Sequence, residues 1–203
     1  MLNNKYHTAE KATSNGAEIR FLNDVKEVLY DENWAKTAPN LELYYVYRGV
    51  EKKNGLRYDV TVIPPKLLGQ EFAKTKGHEH SNNYGELYTV LEGKAIYLMQ
   101  RCQNNQIKDV YAVKAKKGEV VIIPPQYGHL TINPSEKETL KTGNWLDEKS
   151  GHIYDIISKK QGACYYYTKK GWIKNKKYAK VPQLRFKKPL KKIPKNLDFL
   201  HGN

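Results

Sequence analysis

The chain has 203 residues, with 35 Lys and Arg against 21 Asp and Glu and only two cysteines. That length suits one domain with extensions, and Cys102 and Cys164, far apart in sequence, exclude a disulfide scaffold and a cysteine metal cluster. The net charge of +14 resembles a nucleic-acid signal, but residues 165–203 hold 12 of the basic residues and one acid, Asp198, so the charge is mostly a property of the tail.

The opening MLNNKYHTAEK is polar and lacks the apolar stretch of a secretory signal. No run approaches the roughly 20 apolar residues that span a bilayer. A soluble, cytoplasmic protein is therefore expected, with no membrane partner. Residues 1–18 read as a loosely held arm. Over residues 19–36, Leu22, Val25, Val28 and Leu29 recur at helical spacing and predict a short helix, which Ala38-Pro39-Asn40 ends. From Leu41 to about Tyr167 the texture is β. Runs rich in Val, Ile and Tyr (ELYYVYRGV, RYDVTVI, GELYTVL, KAIYLMQ, KDVYAVKA, EVVIIP) alternate with turn residues such as Asn54-Gly55, Gly93 and Gly118. Many short strands at such spacing predict an all-β sandwich or barrel, without internal repeat. From Val181 onward Pro and Lys mix without a period, as in an extended, surface-wrapping tail. The organisation expected is an arm with a short helix over 1–40, a barrel over 41–180 and a Lys/Pro-rich extension over 181–203. Tyr165, Tyr166, Tyr167, Trp172, Tyr178 and Phe186 interleave the tail lysines and would allow base stacking. Lysines spaced by Pro and Leu are nevertheless the pattern of a solvated strip, so nucleic acid is not expected as a partner.

Two of the six histidines stand in Gly77-His78-Glu79-His80. An i, i+2 pair on a strand puts both imidazoles on one face. Glu86 follows six residues later, and His129 closes a run that begins at Gly118 and passes through Pro124 and Pro125 to Asn133. Three imidazoles and a carboxylate suit a divalent Fe, Mn, Ni or Zn ion and leave positions free for substrate. A lone His-x-His is commonly a surface accident. The acid that follows and the distant spaced histidine turn the pair into a ligand set.

These segments resemble the two cupin motifs, Gly-x5-His-x-His-x3-4-Glu-x6-Gly and Gly-x5-Pro-x-Gly-x2-His-x3-Asn. Three departures stand out: five residues separate His80 from Glu86, Phe72 occupies the first glycine position, and Gln126 replaces the glycine of the second motif. Within the cupins, residues 19–180 resemble the phosphoglucose isomerase of archaea and some bacteria. The resemblance is carried by Arg20-Phe-Leu-Asn-Asp24, Tyr44-Tyr-Val-Tyr47, Thr61-Val-Ile-Pro-Pro-Lys-Leu-Leu-Gly69, Lys74-Thr-Lys-Gly-His-Glu-His80, Glu86-Leu-Tyr88, Pro124-Pro125 and Gly151-His-Ile-Tyr154. It implies a homodimeric cupin double-stranded β-helix, a jelly-roll barrel, that interconverts glucose 6-phosphate and fructose 6-phosphate with one divalent metal per chain, expected to be Fe(2+). The implied metal ligands are His78, His80, Glu86 and His129. Tyr44, Thr61, Thr75 and Gly77 match residues that hold the phosphate. Tyr88, His152 and Tyr154 match the lining of the sugar site, and Trp145 stands near the position of a further site tyrosine. Glu86 is the natural base, with Tyr88 or His152 assisting, and a hydride shift is the rival route. Lys74 and Lys76 are expected to add positive potential at the mouth. The alternatives are another metal-dependent cupin (a dioxygenase or a different sugar-phosphate isomerase) and a non-enzymatic sugar-binding cupin. Thr75-Lys76-Gly77 and Gly151-His152-Ile153-Tyr154 favour the isomerase. Because the resemblance ends before it, deletion of Lys187–Asn203 is expected to leave activity within a few fold.

Overall fold

The computed structural model describes residues 16–202. In chain order these form β1 (Glu18–Phe21), α1 (Leu22–Val25), a 3-10 turn (Lys26–Val28), α2 (Glu32–Thr37), β2 (Glu42–Lys53), β3 (Leu56–Ile63), β4 (Leu67–Leu68) and β5 (Glu71–Phe72). Next come β6 (Glu79–His80), β7 (Glu86–Glu92), β8 (Lys94–Gln103), β9 (Gln106–Lys116), β10 (Val120–Ile123), β11 (Gly128–Ile132), β12 (Leu140–Asp147) and β13 (His152–Ile153). The chain ends with α3 (Asp155–Lys159), β14 (Tyr165–Thr168), β15 (Gly171–Lys174), β16 (Arg185–Lys187) and a 3-10 turn (Asp198–Leu200).

A six-stranded sheet, β1-β2-β3-β12-β7-β10, and a four-stranded sheet, β11-β8-β9-β16, form the barrel, with two small sheets, β13-β6 and β15-β14-β5-β4, beside it. Every barrel pairing is antiparallel except that of β16 with β9. Period-2 alternation sorts the side chains. Tyr44 and Val46 of β2 and Tyr88 of β7 meet Tyr97, Met99, Tyr111 and Val113 of β8 and β9 in an inner core. The opposite faces carry two outer clusters. One, with Leu98, Val110 and Leu130, is covered by Tyr165 and Tyr178. The other, with Tyr58, Leu87 and Trp145, is covered by Ile193, Leu197, Phe199 and Leu200 of the tail. Among the described residues no helix is long and apolar enough to cross a membrane.

The single helix expected over 19–36 is not what forms. Residues 18–21 pair with β2, and the helix is broken into α1, a 3-10 turn and α2. Leu22, Val25, Val28 and Leu29 are nevertheless all buried. Their spacing reported burial correctly, but tertiary pairing outweighed local propensity. The chain restarts at Asp31, whose side chain caps α2 by accepting from the Trp34 N–H at 3.0 Å. Of the arm, residues 1–15 lie outside the described residues.

Lys74 is not at the mouth. It is buried, with Nζ 2.6 Å from Glu71 Oε1 and donating to Val28 O at 2.8 Å. Glu71 Oε2 accepts from the Tyr30 N–H at 3.1 Å. This ion pair ties the N-terminal segment to the stretch that leads into His78.

Candidate active site

Three short pieces of chain deliver the four candidate ligands. His78 and His129 face each other across a two-way backbone bridge of 3.0 and 2.8 Å. His80 lies in β6, opposite His152 of β13. Glu86 opens β7. Gly77 precedes His78 in the left-handed region, φ +84°, where a Cβ would also meet His129 O, Leu130 Cβ and Ile157 Cδ1 at 3.2 Å. Only glycine makes that turn without strain.

One potential ligand atom each from His78, His80, Glu86 and His129 lies within 4.8 Å of the others. The residues fit a metal on independent grounds. His78 Nε2 and His129 Nε2 are buried without a hydrogen-bond partner, an arrangement that costs free energy unless something occupies their lone pairs. His129 Nε2 lies 2.9 Å from Glu86 Oε2 without the alignment of a hydrogen bond. The opposite ring nitrogens are anchored: His129 Nδ1 faces Tyr127 O at 3.4 Å, and His80 Nδ1 lies 2.7 Å from Ser150 Oγ. A carbonyl only accepts, so the contact with Tyr127 O calls for the Nδ1–H tautomer of His129, the one that would free Nε2 for an ion. Glu86 Oε1 accepts from Asn144 Nδ2 at 2.6 Å, leaving Oε2 toward the imidazoles. Burial raises the pKa of Glu86, but contacts with His129 and His80 outweigh it and hold the carboxyl well below its usual range. Burial, then the neighbouring His129 and His80, keep His78 neutral by driving its pKa well down.

The cavity beside this cluster has an inner volume of about 70 Å³. Arg20, Tyr44, Lys76 and Tyr154 also line a neighbouring basin of about 410 Å³. Tyr44, Thr61, Thr75, Gly77, Tyr88, His152 and Tyr154 all line the inner part, as do His78, Glu86 and His129. His152 stacks edge-on against His78 with centroids 4.2 Å apart. Burial and the nearby His80 lower its pKa to about 4, so it is neutral at physiological pH. Burial and Glu86 push the Tyr88 phenol far up, which preserves its O–H as a donor. Thr75 Oγ1 accepts from Thr131 N at 3.0 Å, and Tyr44 OH accepts from Lys76 N at 3.3 Å. Lys76 Nζ pairs with Glu27 at 2.8 Å and lies over the Tyr154 ring.

Trp145 is elsewhere. It packs against Tyr58 at 4.9 Å in the outer cluster, while its neighbours Asn144 and Leu146 line the cavity. Sequence reasoning missed Arg20, Arg48, Asp59, Asn144 and Ser150. Strand alternation could have found three of them: Arg48 shares a face with Tyr44, Asp59 with Thr61, and Asn144 pairs with Tyr88. Asp59 accepts from the Gly49 N–H at 2.8 Å and from Arg48 and Arg57 at 3.3 and 3.1 Å. Gln126, in place of the motif glycine, keeps a left-handed φ of 66° and donates to Asn83 Oδ1 at 3.0 Å, inside the loop between His80 and Glu86.

An all-β barrel that gathers three imidazoles and a carboxylate beside an internal cavity defines a cupin whose side chains could hold a metal ion. Residues 21–183 match the family model of glucose-6-phosphate isomerase (GPI), and the chain belongs to that family. A glucose-6-phosphate isomerase of Thermococcus litoralis is 31% identical over 148 residues, covering 70% of this chain and 75% of the relative. One of Pyrococcus furiosus is 30% identical over 148 residues, covering 70% and 76%. Among solved structures, an oxalate oxidase matches at 15% identity and a TM-score of 0.45, covering 58% of this chain and 57% of that one.

Proposed function

We propose that the protein is a metal-dependent aldose–ketose isomerase that interconverts glucose 6-phosphate and fructose 6-phosphate. The observation that carries this reading, in a chain of this family, is a single cavity lined both by members of the His/Glu cluster and by Tyr44, Thr61, Thr75, Gly77 and Lys76.

His78, His80, His129 and Glu86 Oε2 would hold one divalent ion, proposed to be Fe(2+), a borderline ion suited to imidazole and carboxylate. When bound it supplies Lewis acidity toward the sugar oxygens at C1 and C2. The chain's own residues handle the protons. Glu86, held ionised, takes the proton from C2 of the aldose and returns it to C1. Neutral His152 moves the hydroxyl proton between O2 and O1, and Tyr88 donates a hydrogen bond toward the same oxygens. At the other end Thr61, Thr75, the Gly77 backbone, Tyr44 and Tyr154 receive the phosphate, with the Lys76 ammonium beside them. We further propose a homodimer working in the cytoplasm.

The direct test supplies fructose 6-phosphate and measures glucose 6-phosphate, with and without a chelator. Activity is expected to vanish with the chelator and return with a divalent ion. Full turnover in metal-stripped protein would overturn the mechanism, and no turnover of either sugar phosphate by the metal-loaded protein would overturn the function.

The phosphate end yields a separate expectation. Thr75→Val removes a hydroxyl facing a dianion, and a lost hydrogen bond to a charged group costs about 1.5–3 kcal/mol, or roughly 10- to 150-fold in kcat/KM. The loss should be much smaller for unphosphorylated fructose, and metal content should not change. Because Thr75 Oγ1 also accepts from Thr131 N, Thr75→Ser is the control and should retain most activity. Equal losses for both sugars in Thr75→Val would make the residue structural.

A further inference from the structure

Two departures from the cupin pattern touch each other in this chain. The first is the loop 81–85 between His80 and Glu86, longer than the common cupin spacing. It contains Asn82 and Asn83 in the left-handed region, φ 54° and 58°. The second is the C-terminal segment, which lies beyond the family match ending at residue 183.

The contacts between them are specific. Gly85 N donates to Phe199 O at 2.7 Å. A Cβ at Gly85 would lie 2.6 Å from that carbonyl and 2.9 Å from Ile123 O, so this residue must be glycine for the segment to dock. Gly202 packs against Asn82 and Tyr84. His201 Nδ1 lies 3.2 Å from Asp147 Oδ2. Asp147 O accepts from Ser150 N at 3.0 Å, and Ser150 Oγ holds His80 Nδ1 at 2.7 Å. Two short chains of contact therefore run from the tail to candidate ligands: Phe199 to Gly85 to Glu86, and His201 to Asp147 to Ser150 to His80. The segment is firmly seated at both ends. Leu200 is completely buried, and Leu190 exchanges two backbone hydrogen bonds with Val120.

We propose that residues 190–202 are a positioning strap for the metal site. The strap fixes the 81–85 loop and, through it, the orientation of Glu86 and His80, so it sets how tightly the ion is held. This inference rests on the reading of His78, His80, Glu86 and His129 as ligands. It also replaces the expectation that the last residues are dispensable, which rested on the extent of the family resemblance alone.

The test uses full-length protein loaded with Co(2+) alone, and times release of the ion into a chelator at a temperature where every variant is folded. Partners around a ligand typically change metal affinity by about 10–100-fold, so Leu200→Ala should release Co(2+) about tenfold faster or more, with an altered cobalt absorption band. His201→Ala, half exposed, should shift both readouts in the same direction and keeps the test available if Leu200→Ala does not fold. Ile107→Ala, in the outer cluster of the other sheet, is the control for general destabilisation and should release the ion as the wild type does. Release from Leu200→Ala and His201→Ala at the Ile107→Ala rate would overturn the strap. A wild-type chain that takes up no Co(2+) would instead overturn the ligand reading beneath it.

Discussion

Glu86→Gln is expected to lower kcat/KM by about 1,000-fold or more, since general-base catalysis alone typically contributes about 10²–10⁴. The substitution preserves shape but not chemistry. Glu86 uses both oxygens: Oε1 accepts from Asn144, and Oε2 faces the Nε2 atoms of His80 and His129. Glutamine has one carbonyl oxygen. Either its NH2 confronts that of Asn144, or it replaces the ligand oxygen with a group that cannot coordinate. In both cases the negative charge is gone. Metal content and turnover should be measured together at saturating ion. Glu86→Asp, which keeps the charge but withdraws it by one methylene, should recover part of the metal and less of the rate. If Glu86→Gln with a full complement of metal turned over within tenfold of the wild type, Glu86 would not be the base, and transfer of hydride between C1 and C2 would become the better mechanism.

Lys74→Met is expected to cost about 3–5 kcal/mol of folding stability, the range for breaking a buried ion pair from one side. Glu71 and Lys74 are 1% and 2% exposed. Burial already raises the Glu71 pKa above 4.5 although Lys74 opposes it, so removing the ammonium raises it further. A carboxyl whose folded pKa exceeds its unfolded one binds extra protons when native. The variant's stability should therefore be greatest below about the unfolded value of 4.5 and decline as pH rises through the folded pKa. Denaturant unfolding across that range measures it. The double variant Glu71→Gln/Lys74→Met should recover most of the loss, because Gln still accepts from Tyr30 N and no charge is stranded. A flat pH dependence for the single variant would show that solvent reaches Glu71.

The sequence displayed the strands well because they alternate over long, Val- and Tyr-rich runs, and the six runs named from the sequence fall on β2, β3, β7, β8, β9 and β10. It displayed the imidazoles and Glu86 because their spacing is local and their chemistry rare. What it hid is relational. Asn144 and Ser150 matter only because β12 and the turn after it bring them to Glu86 and His80. Trp145 stands near the position of a family site tyrosine but faces outward, because one residue of register separates it from Asn144 and a one-residue slip exchanges faces. Lys74 is expected at the mouth from sequence because a buried ammonium is indistinguishable from an exposed one until its carboxylate, Glu71, is found. The helical spacing of Leu22, Val25, Val28 and Leu29 was real but marked a buried side, not a continuous helix.

The path of the tail has a consequence for self-association. β10 is the outermost strand of the six-stranded sheet, and without β16 the strand β9 would be the outermost of the four-stranded sheet. Each would present unpaired N–H and C=O groups, a template on which another chain can add a strand and begin to aggregate. The tail occupies both edges in one pass: β16 lies parallel to Tyr111–Val113, and Leu190 then pairs with Val120. Arg185 pairs with Asp109 and Lys191 with Glu119, which fastens the tail beside both strands. Part of the basic composition that resembles a nucleic-acid signal thus holds this cover against the barrel through Arg185 and Lys191.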